Sequence, residues 1–226
     1  MPNFDIVKIN KPEMTFRVSK IQADFDVKFE HSNEHFVGNI NIPDDDKWQI
    51  GIIVGGSGTG KSTIAKELFH DIYVEKYEYT HKSVIDDMPG KSIDEIEKMF
   101  YAVGFGSVPS WLKPYSVLSN GERMRVDLAR AMLSSESVCF DEFTSVVDRK
   151  VAQTACIAIN KAIRHSSKHF IAVSCHYDII DWLQPDWIFD TNTMQTNFQS
   201  AHVLKSNLKS EDVGEMNGVS LGVITI

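Results

Sequence analysis

Residues 48–69 read WQIGIIVGGSGTGKSTIAKELF. The first seven are almost continuously apolar, the pattern of a short strand covered on both faces. Glycines follow, and then Ile64, Ala65, Leu68 and Phe69 fall on one stripe of a helix. Between strand and helix, GGSGTGKS (55–62) fits G-x-x-x-x-G-K-[ST] in the strand–turn–helix setting which that motif needs. The run Gly55, Gly56, Ser57, Gly58, Thr59, Gly60 lets backbone amides curl around phosphates. Lys61 is expected to reach the β- and γ-oxygens, and Ser62, followed by Thr63, to offer a hydroxyl to Mg²⁺. The stretch predicts a nucleotide-binding domain.

A second acidic element supports this. SVCFDE (137–142) is an apolar strand ending in two carboxylates. Asp141, at the strand end, is expected in the Mg²⁺ shell; Glu142, one residue on, is expected to orient or deprotonate a water at the γ-phosphate. Further on, YSVLSNGERMRVDLARAM (115–132) contains a capping box, Ser119 with Glu122, ahead of Met124, Leu128 and Met132 at helical spacing. Asn120 and Gly121 put backbone N–H groups at a helix start, where anions are favoured.

The rest of the chain alternates strand and helix. FRVSKIQADFDVKFE (16–30), HFVGNINI (35–42) and KSVI (82–85) read as strands, as do 137–140 and HFIAVS (169–174). Ser92–Val103 and Asp148–Arg164 read as helices, YDIIDWL as a short helix, and DWIFDTNTMQTNFQ as a closing hairpin. The order implies an α/β fold around a mainly parallel sheet with flanking helices.

Composition sets outer bounds. With 226 residues, 42% of them apolar, the chain has the material for one medium domain with a full core. A net charge of −8 disfavours a general nucleic-acid coat. No run approaches the roughly 20 apolar residues of a membrane span, and MPNFDIVKINKPEM lacks a secretory core, so no membrane insertion is expected. Cys139, Cys156 and Cys175, odd in number and set in apolar surroundings, are expected to be reduced core thiols of a cytoplasmic protein.

In the order P-loop, LSNGE (118–122), SVCFDE, FTSVVD (143–148) and AVSCH (172–176), the motifs resemble those of the ATP-binding cassette (ABC) ATPases. The resemblance covers roughly residues 20–195. It implies a P-loop NTPase fold of ABC type, with N-terminal antiparallel strands, a reduced helical lobe at about 88–133 and an extension at 196–226, all in one domain. It further implies that Ser119, Asn120, Gly121 and Glu122 form a signature segment whose helix start meets the γ-phosphate held by a second subunit. Ser145 and Asp148 take the polar D-loop positions, and His176 that of the switch histidine. With one P-loop and one signature per chain, two composite sites require a head-to-tail, ATP-dependent homodimer.

The departures matter too. The glutamine that usually follows the strand after the P-loop helix is missing; SVIDDMPG stands there, with Asp86 or Asp87 as a stand-in near Mg²⁺. Phe29 and His31 are nearest by position to the family's adenine-stacking aromatic. The short P-loop-to-signature segment argues against a transporter engine, and the absence of a long heptad insertion against a coiled-coil DNA-repair ATPase. The stretch from DEFTSVVD to DWIFD looks closest to soluble cassette ATPases of phages and mobile elements, sometimes fused to acetyltransferase domains. The expectation is an ATP-dependent switch acting on such an acetyltransferase-type, other protein or nucleic-acid partner. A transporter subunit and a binding module with negligible turnover are the alternatives.

Three features are read as bland. HSNEH (31–35) matches a zinc-protease pattern but sits between strand-like segments. His165 and His169 have no cysteine near, and Arg123, Arg125 and Arg130 read as a solvated helix face.

Overall fold

The computed structural model describes residues 3–10, 13–27, 32–44, 47–74 and 76–198. Phe29, His31 and nearly all of the extension from 196 onward lie outside them.

The motif strand is β3 (Ile50–Val54), and every residue of it is buried. Its side chains alternate: Ile50, Ile52 and Val54 enter one core and Ile53 the other, as the two-residue period of a covered strand requires. Gly51 sits opposite Trp187, so close that a Cβ there would lie 2.1 Å from the indole; the ring takes the space of the missing side chain. β3 lies inside a six-stranded sheet with β4 (Tyr73–Val74), β5 (Ser137–Phe140), β6 (His169–Ser174), β7 (Trp187–Asp190) and β8 (Gln195–Phe198), in the order β4-β5-β6-β3-β7-β8. All neighbours are parallel except β7 and β8, the expected hairpin.

On one face pack α2 (Lys61–Leu68), through Ile64 and Ala65, and an antiparallel pair, β1 (Asn3–Asn10) with β2 (Ser32–Asn39), through Phe4 and Phe36. The other face carries α6 (Arg149–Arg164) and α7 (Ile179–Leu183), through Cys156, Ile159, Ile163 and Leu183. Between β4 and β5 the chain builds a lobe from α3 (Ile93–Ala102), α4 (Val108–Trp111), a 3-10 turn at Tyr115–Val117 and α5 (Asn120–Ser134). Phe100 stacks edge-on against Phe105 and packs on Trp111, whose indole N–H donates to the Phe105 carbonyl at 2.8 Å.

Three expectations are corrected. Residues 16–24 form a helix, α1 (Phe16–Asp24), capped by the Thr15 hydroxyl, not a strand. None of its residues is buried, so the apolar alternation there reflects no two-sided packing. The strand paired with β2 is the unexpected β1, and β2 itself starts at Ser32 and ends at Asn39. Residues 82–85 form a bend and turn: Val84 and Ile85 donate to the carbonyls of Lys113, just past α4, and Trp111, at its end, and not to the sheet. The outer parallel strand is instead Tyr73–Val74.

Candidate functional site

Because β3, β5 and β6 are parallel and in close register, their C-terminal ends lie together at one sheet edge. Phe140 pairs with Ala172, and Val54 with Ser174. The segments leaving these ends are the glycine loop, Asp141–Glu142 and Cys175–His176. Open parallel sheets bind ligands outside that edge.

The loop is shaped by its glycines. Gly58 and Gly60 have φ of 79° and 86°, the left-handed region that L-residues rarely adopt. Gly60 opens α2, and a Cβ on it would lie 2.5 Å from the Phe36 ring, so the β1–β2 pair packs directly on the loop. The amides of Lys61, Ser62 and Thr63 precede the first intrahelical donor, Ile64, which bonds to Gly60 O at 2.8 Å. The Lys61 ammonium donates to the Gly56 carbonyl at 2.6 Å, and the Thr59 hydroxyl to the same oxygen at 2.9 Å. Ser57, Gly58 and Ser62 are exposed.

At the end of β5, one Asp141 oxygen receives the Tyr73 hydroxyl and the other the Glu142 N–H, at 2.7 Å. Burial and the charge of Asp141 push the Tyr73 phenol far up, so it is a proton donor at neutral pH. Glu142 is exposed and has φ 49°; Thr144, two residues on, has φ 67°. Between these left-handed residues Phe143 drops fully into the core and its N–H bonds to Val173 O in β6 at 2.9 Å. The Ser145 hydroxyl closes the turn on Glu142 O at 2.6 Å. His176, half-buried, follows β6 and donates its N–H to the Ser174 hydroxyl at 3.2 Å.

Residues 119–122, the expected signature segment, stand at the start of α5. Ser119 Oγ accepts from Glu122 N, while one Glu122 oxygen accepts from Ser119 N at 2.9 Å and the other from Ser110 Oγ at 2.7 Å. These bonds, the backbone one first, hold the Glu122 carboxyl below its usual value. The carboxylate therefore faces its own helix start, leaving Ser119 and Asn120 exposed and Gly121 half-buried. A cleft of about 830 Å³ runs between this helix and the sheet edge, with Lys66, Tyr73, Asn120, Arg123, Asp141 and Glu142 on its walls. Among the described residues no hydrogen bond joins 119–122 to 55–62 of the same chain. Asp148, exposed, caps α6 through the amides of Lys150 and Val151, both at 3.0 Å.

Asp87 is placed differently from the expectation of a metal ligand. Its carboxylate is buried and accepts from Thr80 N, His81 N and the His81 ring at 2.7 Å. Burial works against its charge, but the His81 ring and these amides outweigh it and hold the carboxyl below its usual value. It ties the 80–88 loop to itself; Asp86 is bonded to Ser83. The three arginines do not form a solvated face either. Arg123 donates to the carbonyls of Tyr115 and Ser116, and Arg125 to Gly121 O; Arg130 reaches Glu78 O and lies over the rings of Tyr77 and Tyr79. Cys139 and Cys156 are buried free thiols, Cys156 pushed up to about 12 by burial, but Cys175 is exposed. His35 pairs with Asp5, His165 with Lys161 O, and His169 lies 4.6 Å from Trp48; among the described residues no cluster of three metal-ligating side chains exists.

Sequence reading missed the aromatic wall of the cleft, formed by Tyr73, Tyr77 and Tyr115, and the Tyr79 behind it. Tyr79 and Tyr115 stack at 3.9 Å, and both donate to Asp127 at 2.7 Å. Burial raises the Asp127 carboxyl, although the two phenols pull it back. The tyrosine-rich YVEKYEYT (73–80) was the available signal.

An oxygen-only donor set of hydroxyl and carboxylate suits Mg²⁺. Among the described residues Ser62 Oγ makes no hydrogen bond and each Asp141 oxygen has one donor, which leaves it a lone pair. These two residues fit the ion.

No protein-family model matches the sequence, and neither does any curated protein. Solved structures do match. A bacterial Atm1-family ABC exporter with ATP bound shares 19% identity at a TM-score of 0.52, over 74% of this chain and 37% of the exporter, so the chain spans well under half that protein. The dimeric structure of MJ0796, a bacterial ABC transporter cassette, shares 15% at 0.54, over 70% and 87%. MJ1267, an ATP-binding cassette of an ABC transporter in its ADP conformation, shares 16% at 0.53, over 81% and 90%. The fold is that of an α/β P-loop NTPase. Within that class it is the ATP-binding cassette fold.

Proposed function

We propose that the chain is an ATPase of the ABC type that binds MgATP between two copies of itself and works as a nucleotide-driven switch. The observation that carries this is the convergence of the glycine loop, Asp141–Glu142 and His176 on one edge of the sheet, together with an outward-facing start of α5. In this reading the amides of 57–63 cradle the phosphates and Lys61 leaves Gly56 O to neutralise the β- and γ-oxygens. Ser62 and Asp141 would hold Mg²⁺, which would supply neutralisation of the phosphate charge. Glu142 takes the proton of the attacking water, and His176 holds the γ-phosphate end.

Ser119, Asn120 and Gly121 of the second copy complete the site with a helix-start amide cluster, Glu122 fixing that turn and Asp148 shaping the neighbouring loop. Dimeric MJ0796 supports such pairing. Among the described residues no helix is long and apolar enough to cross a membrane, and the buried thiols Cys139 and Cys156 suit a reducing compartment. In this reading the switch is cytoplasmic, of the kind found on phages and mobile elements, and acts on an acetyltransferase-type, other protein or nucleic-acid partner. The second reading, a transporter's nucleotide-binding subunit, is favoured by the transporter cassettes among the structural neighbours and would show as co-purification with a membrane protein.

The test is phosphate release by the purified protein, which Lys61→Ala should abolish. In parallel, Glu142→Gln should run as a dimer on gel filtration in ATP and as a monomer without it. A Glu142→Gln profile indifferent to ATP counts against the composite site; release unaffected by Lys61→Ala counts against the ATPase.

A further inference from the structure

The turn after β7 grips the glycine loop at three points. Thr191 N donates to Val54 O at 2.8 Å, and the Thr191 hydroxyl, 2.6 Å from that of Thr59, gives it its one proton because the Thr59 proton goes to Gly56 O. Gly55 lies so close that a Cβ would come within 2.0 Å of Thr191 Oγ1. The third point is a side chain with two ends in use. Asn192 Oδ1 accepts from Gly56 N at 3.3 Å, while Nδ2 donates to Tyr177 Oη at 2.7 Å.

Donor logic fixes the direction of this chain. A backbone N–H can only donate, so the Asn192 oxygen faces Gly56 and its NH₂ faces the phenol. The phenol, receiving that proton, spends its own on Asp190, whose oxygens lie 3.0 and 3.1 Å away. Asp190 also takes Asn192 N at 2.8 Å, which holds the turn in shape. The series runs Gly56 to Asn192 to Tyr177 to Asp190 and ends on a charge, which polarises each link before it. Tyr177 is the residue after His176. Gly56 and Asn192 are 136 positions apart, and Asn192 and Tyr177 15.

We propose that Asn192 and Tyr177 are positioning residues that lock the glycine loop to the turn bearing His176, so that both ends of the triphosphate site are set by one hydrogen-bonded unit. The functional part rests on the ATPase reading above; the lock itself does not. Gly56 N–H is held by the amide oxygen and Gly56 O by Lys61 and Thr59, so the loop's entry is braced on both sides of one residue. Tyr177 acts on the loop only through Asn192. Removing the phenol leaves the Asn192 side chain only its bond to Gly56, and removing the carboxamide leaves Tyr177 bonded to Asp190 but no longer to the loop.

Two readouts test this. Amide exchange at Gly56, followed by NMR on labelled protein without nucleotide, should quicken several-fold in Asn192→Ala and in Tyr177→Phe. The double variant should exchange no faster than Asn192→Ala. Steady-state ATP hydrolysis should show KM raised roughly 3–10-fold in Asn192→Ala, the loss expected of one hydrogen bond, with kcat changed less than about twofold. Tyr177→Phe should show a smaller rise, again not compounded in the double variant. Gly56 exchange indifferent to Tyr177→Phe, or effects that multiply independently, would overturn the lock. Wild-type protein that binds no ATP while the exchange pattern holds would sink the ATPase reading and leave the lock standing.

Discussion

Replacing Gly60 by alanine tests the contact between the β1–β2 pair and the glycine loop, which no reading of local sequence could supply. Two separate penalties add. At φ 86° an L-residue meets its own carbonyl, a left-handed cost of about 1–2 kcal/mol. The new Cβ would also lie 2.5, 2.7 and 2.8 Å from three atoms of the Phe36 ring, which is buried and cannot swing into solvent. Overpacking of that kind costs about 1–3 kcal/mol. Together they predict about 2–5 kcal/mol, a large part of an ordinary domain's stability. For a chain of this length that lowers the thermal midpoint by roughly 4–20 °C.

The two parts separate in a double-mutant cycle. Phe36→Val removes the ring atoms that crowd position 60, so Gly60→Ala in that background should carry only the backbone part. Urea unfolding, followed by tryptophan fluorescence at constant m, should return a coupling of about 1–3 kcal/mol. An equal Gly60→Ala cost in both backgrounds would mean that Phe36 does not press on the loop.

Three further outcomes are expected. Gly51→Ala drives a methyl into the Trp187 indole and should destabilise by about 1–3 kcal/mol with a shift in tryptophan emission; a neutral result would refute the glycine–indole packing. Glu122 is held below the ordinary carboxylate value in the folded state, so its cap contributes fully above about pH 4.3 and is withdrawn as pH falls through the lower folded-state value. The thermal midpoint of the wild type should therefore drop more steeply between about pH 5 and 3 than that of Glu122→Gln, measured by circular dichroism. Tyr73→Phe frees an Asp141 oxygen from a competing donor and should lower the Mn²⁺ needed for half-maximal binding with ATP by about tenfold, by equilibrium dialysis; a weaker ion would contradict that role.

What could be read beforehand was whatever is local. The strand–loop–helix at 48–69, the acid pair after 137–140, the cap at Ser119 and the closing hairpin all lie within short windows where periodicity and capping chemistry act. What was missed depends on pairing across the chain. β1 pairs with a strand some 30 residues away, and β4 is two residues long, defined by its register with Cys139 and Phe140. Residues 16–24 carry a mixed pattern in which Thr15 capping decided for helix, without burial to advertise a face. Within the site, the glycines, lysine and acids were visible because their chemistry demands fixed spacing. Tyr73, Tyr177 and Asn192 enter from distant segments and follow no motif. Asp87 looked like a metal ligand because an acid pair in a turn has no sequence mark telling whether it faces outward or, as here, back onto its own loop.

Phe143 has one consequence beyond packing. Its ring is sunk between Phe140 and Phe170 while its N–H is pinned to the strand that leads to His176, and the residues on either side twist the opposite way to ordinary chain. It is an axle: the carboxylate before it and the hydroxyl turn after it sit on opposite arms of one lever. Glu142 on one side and the 144–148 segment on the other are thus anchored to a single buried ring.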